Sequence, residues 1–359
     1  MAYSTISKSS SYMNSVLYTG TDAAKSVTGV GFQPDFTWIK CRSHGGTAFP
    51  NILTDSLRGV NKTLFSNTND IETTNYSNGY LSAFGTDGFT VTAGDAVSGI
   101  GRTYVGWNWR AGTTGSGTTT GSGTGKAYTY SVNTTAGFSI IKYGGNSSNG
   151  HTIPHHLGAV PKCIIIKKLD GVVKDWRVYN VGVPNANTRA LRLNSNDYYN
   201  TDSAYWYNTT PTSTVFTLGD SDDVNNGSQQ YVAYCFTSIK GYSKLGGYTG
   251  NENTDGPFVY TGFKPALLII KKATPSTSQN WRIIDNKRNG FNPNNYPLYP
   301  SADASEGTSE TTVDILSNGF KLRGTGGAIN SNGTGYIYYA FADETLVANV
   351  GEGVPATAR

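Results

Sequence analysis

At 359 residues the chain is long enough for two or three domains that each bury a core, and Lys+Arg 28 against Asp+Glu 24 leaves a formal charge of +4 with no basic run to track a phosphate backbone. Nucleic acid is therefore excluded as an expected partner. Membrane insertion is excluded too, since no window approaches the roughly 18 apolar residues of a span, and "MAYSTISKSSSYMNS" holds no apolar leader core, so synthesis in the cytosol is expected.

Gly 44, Tyr 24 and only 14% charged residues, with segments crowded in Thr, Ser and Asn, predict many short strands joined by tight turns. The first element is "GFQPDFTWIK" (31–40), a proline turn entering a strand. "KTLFSN" follows with Leu64, then "DGFTV" with Phe89 and "TYVGWNW" (103–109) with Tyr104. In that last strand Val105, Trp107 and Trp109 point to one face and Tyr104, Gly106 and Asn108 to the other, and one face is expected to be core. "GTTGSGTTTGSGTG" (112–125) holds no large apolar residue and reads as a flexible linker.

The strand entry then returns as "LGAVPKCIIIKK" (157–168) and as "GFKPALLIIKK" (262–272). Pro34, Pro161 and Pro265 are 127 and 104 residues apart; Phe89, Phe216 and Phe320 keep the same two spacings, and Tyr104, Tyr231 and Tyr336 are 127 and 105 apart. Three separate segments in one register mark an internal repeat. Leu64, Leu191 and Leu298 extend it more loosely. The runs "CIIIKK" and "LLIIKK" suit central strands covered on both sides.

Together these patterns predict an all-β chain of three tandem β-sandwich, jelly-roll-like domains of roughly 100 residues each. The expected boundaries are 1–111, a linker at 112–126, 127–242, 243–346 and a tail at 347–359. The second junction has only short polar breaks, so domains two and three are expected to pack closely while the linker alone positions domain one.

Asp55 with Arg58 and Asp285 with Arg288 form an Asp-x-x-Arg element in copies one and three, where copy two reads "NVGVPN"; a surface turn with a weak ion pair is expected. His151, His155 and His156 cluster in "GHTIPHHLG", but the matching slots of the other copies lack histidine and no acidic residue lies beside them, so no metal site is assigned. Asp220, Asp222 and Asp223 with Asn225 and Asn226 offer oxygen donors of the calcium type, yet the spacing departs from an EF-hand and an ordinary hairpin loop explains them. Cys41, Cys163 and Cys235 lack paired spacing and are expected to be buried free thiols. No acid and base pair can be nominated, so no catalytic residue and no cofactor is expected. Tyr198, Tyr199, Tyr205, Trp206 and Tyr207 crowd one Asn- and Thr-rich stretch; they are candidates for stacking on a glycan or for a protein contact, against plain burial in a core.

The segments "MAYSTISKSSSYMNSVLYTG", "GFQPDFTWIK", "TYVGWNWRAG", "DWRVYN", "PTSTVFTLG", "YVAYCF", "GYTGNENTDGPFVYTGFKPALLIIKK", "NWRIIDNKRN" and "LSNGFKLR" resemble a repeated module of marine tailed-phage structural proteins. The resemblance covers almost the whole chain. It implies a virion protein assembled in the host cytoplasm, a tail fibre or other adsorption appendage, with other virion proteins, further copies of itself and a host surface glycan as partners. A capsid decoration protein and a polysaccharide-degrading virion enzyme remain the alternatives, the first because the chain has neither heptads nor a collagen-like repeat to build a shaft.

Overall fold

The computed structural model describes residues 4–43, 48–308 and 313–343. Nearly all regular structure is strand; the single α-helix among the described residues is the one turn Ser203–Trp206. Three larger sheets share one strand order. Met13–Thr19, Thr103–Trp109, Phe36–Cys41 and Ile52–Asp55 lie side by side in the first, Phe138–Gly144, Gln230–Phe236, Cys163–Lys168 and Arg177–Asn180 in the second, and Ser243–Thr249, Gly335–Ala342, Pro265–Lys272 and Arg282–Asp285 in the third. Every pairing among them is antiparallel. A smaller sheet accompanies each: Lys25–Thr28 on Gly88–Val91, His151–Pro154 on Val215–Leu218, and Phe258–Tyr260 on Gly319–Leu322.

The same turn is built three times around a buried tyrosine, whose ring can be buried because its hydroxyl finds backbone partners. Tyr104 donates to the Asp95 carbonyl and accepts from the Gly99 amide, Tyr231 does the same with Asp222 and Asn226, and Tyr336 with Gly327 and Ser331, all at 2.7–2.8 Å. A second tyrosine stacks on each: Tyr18, Tyr143 and Tyr248, at centroid distances of 5.0, 5.3 and 5.1 Å. Their hydroxyls donate to the carbonyls of Val97, Val224 and Ile329, each at 2.8 Å. Each pair thus locks the last strand of its unit to the turn that precedes it.

The strand Thr103–Trp109 is core on both faces, where the alternation pointed to one. Tyr104 packs between the first unit's two sheets with Val27, Phe89 and Val91, while Val105, Trp107 and Trp109 face a second apolar cluster that all three units share. The third unit repeats this, with Leu268, Ile270 and Tyr338 inside and Leu267, Ile269 and Phe341 turned to the shared cluster. The runs at 163–168 and 265–272 are central strands, as their continuous apolar pattern requires. All three cysteines are buried and free.

Two expectations about organisation are overturned. Residues Thr113–Thr118, read as flexible linker, form a strand paired antiparallel with Ala127–Asn133, which in turn pairs with Phe138–Gly144. Low side-chain content does not prevent a strand, because the ladder bonds are backbone bonds; Gly115 and Gly117 sit where a Cβ would strike the rings of Tyr130 and Tyr128. The expected asymmetry between the two junctions also fails, since the first unit packs as directly on the other two as they do on each other. The tail at 347–359 lies outside the described residues.

Candidate functional site at the junction of the three units

Each unit meets the next through matched positions, and the contacts close into a ring. The amides of Glu72, Tyr199 and Glu306 donate to the carbonyls of Leu169, Ala273 and Arg42 at 3.0, 3.0 and 3.1 Å. Unit one thereby holds unit two, unit two holds unit three, and unit three holds unit one. Side chains repeat the circuit. Trp176 Nε1 donates to the Phe65 carbonyl at 2.9 Å and Trp281 Nε1 to the Arg192 carbonyl at 2.8 Å, while Asn51, at the corresponding place in unit one, donates to the Tyr299 carbonyl at 3.1 Å.

Three buried lysines make the third set of clasps. Lys40 donates to Phe49 of its own unit and to Asp303 of another, Lys167 to Lys174 and Asn69, and Lys271 to Gln279 and Asn196, every acceptor a backbone carbonyl at 2.5–2.9 Å. Burial pushes the Lys40 and Lys167 ammoniums down to about 8 and that of Lys271 to about 7. In the unfolded chain a lysine titrates near 10.4, so between the two values the unfolded state binds more protons and stability rises with pH. Burial also pushes the hydroxyls of Tyr143, Tyr234 and Tyr248 upward. Those groups have the opposite sign above about pH 10, where the unfolded tyrosines ionise first. Burial also pushes the thiols of Cys41, Cys163 and Cys235 upward, which opposes the lysines from about pH 8.5, so the melting temperature is expected to climb between about pH 7 and 8.5 and to fall above about pH 9.5. A differential scanning calorimetry series would contradict this if the melting temperature stayed flat or dropped over the lower interval.

The Asp-x-x-Arg elements sit inside the junction and are not surface turns. Arg58 Nε lies 2.5 Å from Asp55 and Arg288 Nε 2.7 Å from Asp285, with side chains 1% and 0% exposed in both pairs. Tyr234 donates to Asp55 Oδ2 at 2.7 Å and Trp107 Nε1 to Asp285 Oδ2 at 2.9 Å, so each carboxylate is shared with a neighbouring unit. Burial alone would raise the Asp285 carboxyl, but the Arg288 charge and hydrogen bonds hold it below the usual carboxylate range. Unit two carries Asn180 and a buried Val183 at these places, and Arg189 stacks on Tyr199 at 4.2 Å where the other copies have glutamates. The ring encloses an apolar cavity of about 20 Å³ edged by Trp38, Trp109, Trp176, Trp281, Phe236 and Phe341, far smaller than a ligand pocket.

The tyrosine- and tryptophan-rich stretch is divided by the fold. Tyr205 and Trp206 are 5% and 1% exposed, Trp206 Nε1 donating to the Arg189 carbonyl and Tyr205 accepting from Asn200 beneath the Arg177 guanidinium. They are core, because the helical turn Ser203–Trp206, capped by Asp202, folds both rings inward. Tyr199 is partly buried against the shared cluster, and only Tyr198 and Tyr207, 40% and 47% exposed, face solvent.

The histidines are dispersed among polar partners. His151 bonds Asn225 and Thr119, His155 the Thr212 carbonyl and the Leu157 amide, and His156 stacks on Tyr130. In the acidic loop Asp223 is held by Arg177, Asp222 by Asn226 and Asp220 by Asn149. Among the described residues no group of three or more His, Cys, Asp or Glu is placed to hold a metal ion. The junction lysines and Trp176 with Trp281 were not singled out from sequence; the signal lay in their recurrence at the repeat spacing.

A family model described as a domain of unknown function (DUF7483) matches residues 8–345. No curated protein matches the chain. No solved structure matches it.

Proposed function

We propose, starting from a chain that belongs to the DUF7483 family, that the protein is a non-enzymatic structural component of a tailed-phage particle, displayed outside it as a tail fibre or similar adsorption appendage. The observation that carries this reading is the use of seven of its buried charged residues: Lys40, Lys167, Lys271, Asp55, Arg58, Asp285 and Arg288 each reach another unit. Such residues build a rigid block and leave binding to the surface. The module resemblance supports the virion, with other virion proteins, further copies of the chain and a host glycan as partners.

The three units are, in this reading, tandem copies of one jelly-roll-like β-sandwich; superposing 28–110, 155–237 and 259–342 then brings Pro34, Pro161 and Pro265 together. A second reading, capsid decoration, is favoured by the closed ring, which suits a seat on a threefold position better than a row of domains would. Immunogold labelling of intact particles tests both. Label on the tail is expected; label spread over the capsid selects decoration, and particles without label overturn the virion reading. Release of reducing sugar ends from host glycan by the purified protein would overturn the non-enzymatic one.

A further inference from the structure

The three units differ in the length of one surface loop. From Asp285 to Leu298 the chain takes 13 steps, against 9 from Asp55 to Leu64 and 11 from Asn180 to Leu191. Only the third-unit loop contains aromatic residues, and it carries Phe291, 79% exposed. The loop is nonetheless held firmly. Asn292 donates to the Ile315 carbonyl and accepts from the Ile315 amide, both at 2.9 Å, and Asn294 Nδ2 donates to the carbonyls of Asp285 and Asn289.

Between this loop, Ile315 and the Lys264–Asp343 ion pair (3.3 Å) lies an open cleft of about 520 Å³. Its walls present Phe291, the amide side chains of Asn286 and Asn289, and Lys287. Lys287, exposed on this wall, has no ion-pair partner among the described residues. An anchored loop with an apolar ring in water beside amides and one uncompensated cation is a preorganised site of small-molecule size.

We infer that this cleft binds a carboxylate-bearing pyranose at the end of a glycan chain. The sugar's C–H face lies on Phe291, its hydroxyls meet Asn289, and its carboxylate pairs with Lys287. A flat apolar face beside hydroxyls matches the ring and amides, and the negative charge matches the lysine that lacks a protein partner. The inference rests on the cleft alone and holds whether the protein sits on tail or capsid, so binding is measured on purified protein and separately from particle labelling.

Saturation-transfer NMR and calorimetric titration with a glucuronic-acid-terminated disaccharide, and with its glucose-terminated counterpart, test it. The acidic sugar is expected to bind at least tenfold more tightly. Phe291→Ala should weaken both sugars at least tenfold, and Lys287→Ala should remove the preference while retaining the weak neutral binding. Both side chains are exposed, so the variants keep the parent melting temperature. No transfer to either sugar, equal affinity for the two, or an unchanged titration for Phe291→Ala would overturn the assignment.

Discussion

Replacing Arg58 with alanine is expected to lower the stability by about 3–5 kcal/mol, the loss found when one member of a buried ion pair is removed and its partner stays behind. The guanidinium does more than pair with Asp55: it also donates to the Lys62 and Leu53 carbonyls and to Glu72. Its loss leaves Asp55 buried with the Tyr234 hydroxyl still attached across the unit boundary. Arg288→Ala should cost about as much, since that side chain is equally buried and bridges Asp285 to Glu306. Arg323→Ala is the control: its pair with Asp314 is 42% exposed on the arginine side and should be worth about 1 kcal/mol or less.

The middle unit, with Asn180 and Val183, shows that the junction also closes without the ions. Asp55→Asn combined with Arg58→Val should accordingly lose less than Arg58→Ala alone, because no uncompensated charge remains. Chemical denaturation of the set measures all four values. A loss of about 1 kcal/mol or less for Arg58→Ala would mean that water reaches the pair and that the junction is looser than its geometry.

The second expectation is that the three units melt as one. Phe36 stacks on Tyr234 at 4.5 Å, and Trp109 meets both Phe236 and Phe341 edge-on at 6.3 and 5.7 Å, so the shared cluster takes rings from every unit. A single unit released from the ring would expose this aromatic face together with its buried lysine, which couples its unfolding to that of its neighbours. Calorimetry should give one transition with equal calorimetric and van't Hoff enthalpies. Trp281→Ala should shift that whole transition, costing about 3–5 kcal/mol for the lost ring and leaving the Arg192 carbonyl without its donor. Two resolved transitions, with only one moved by the substitution, would show that the units are independent.

Much of the framework was legible in the residues. The all-β character, the central strands at 163–168 and 265–272 and the matched places of Tyr104, Tyr231 and Tyr336 follow from composition, apolar runs and spacing, which are local properties of the chain. The surface candidates fared differently. Tyr205 and Trp206 looked like Tyr198 and Tyr207 in sequence, and only the inward turn of one short helix separates core from solvent. The cleft beside Phe291 was invisible as well, because its walls come from residues 264, 286–287, 289–292, 315 and 343.

What the sequence by itself determined is therefore the strand content and the threefold register, both encoded in neighbours along the chain. Tertiary structure decided how the three units meet. The apparent linker at 113–118 is a strand because its backbone groups find a ladder at 127–132, which side-chain composition does not report. The Asp-x-x-Arg turns are buried clasps because another unit covers them, and burial by a distant segment turns a weak surface ion pair into one whose disruption is costly. The recurring lysine at the end of each strand entry gives no local hint of its role, since the carbonyls that hold Lys40 and Lys271 across the junction belong to residues 303 and 196.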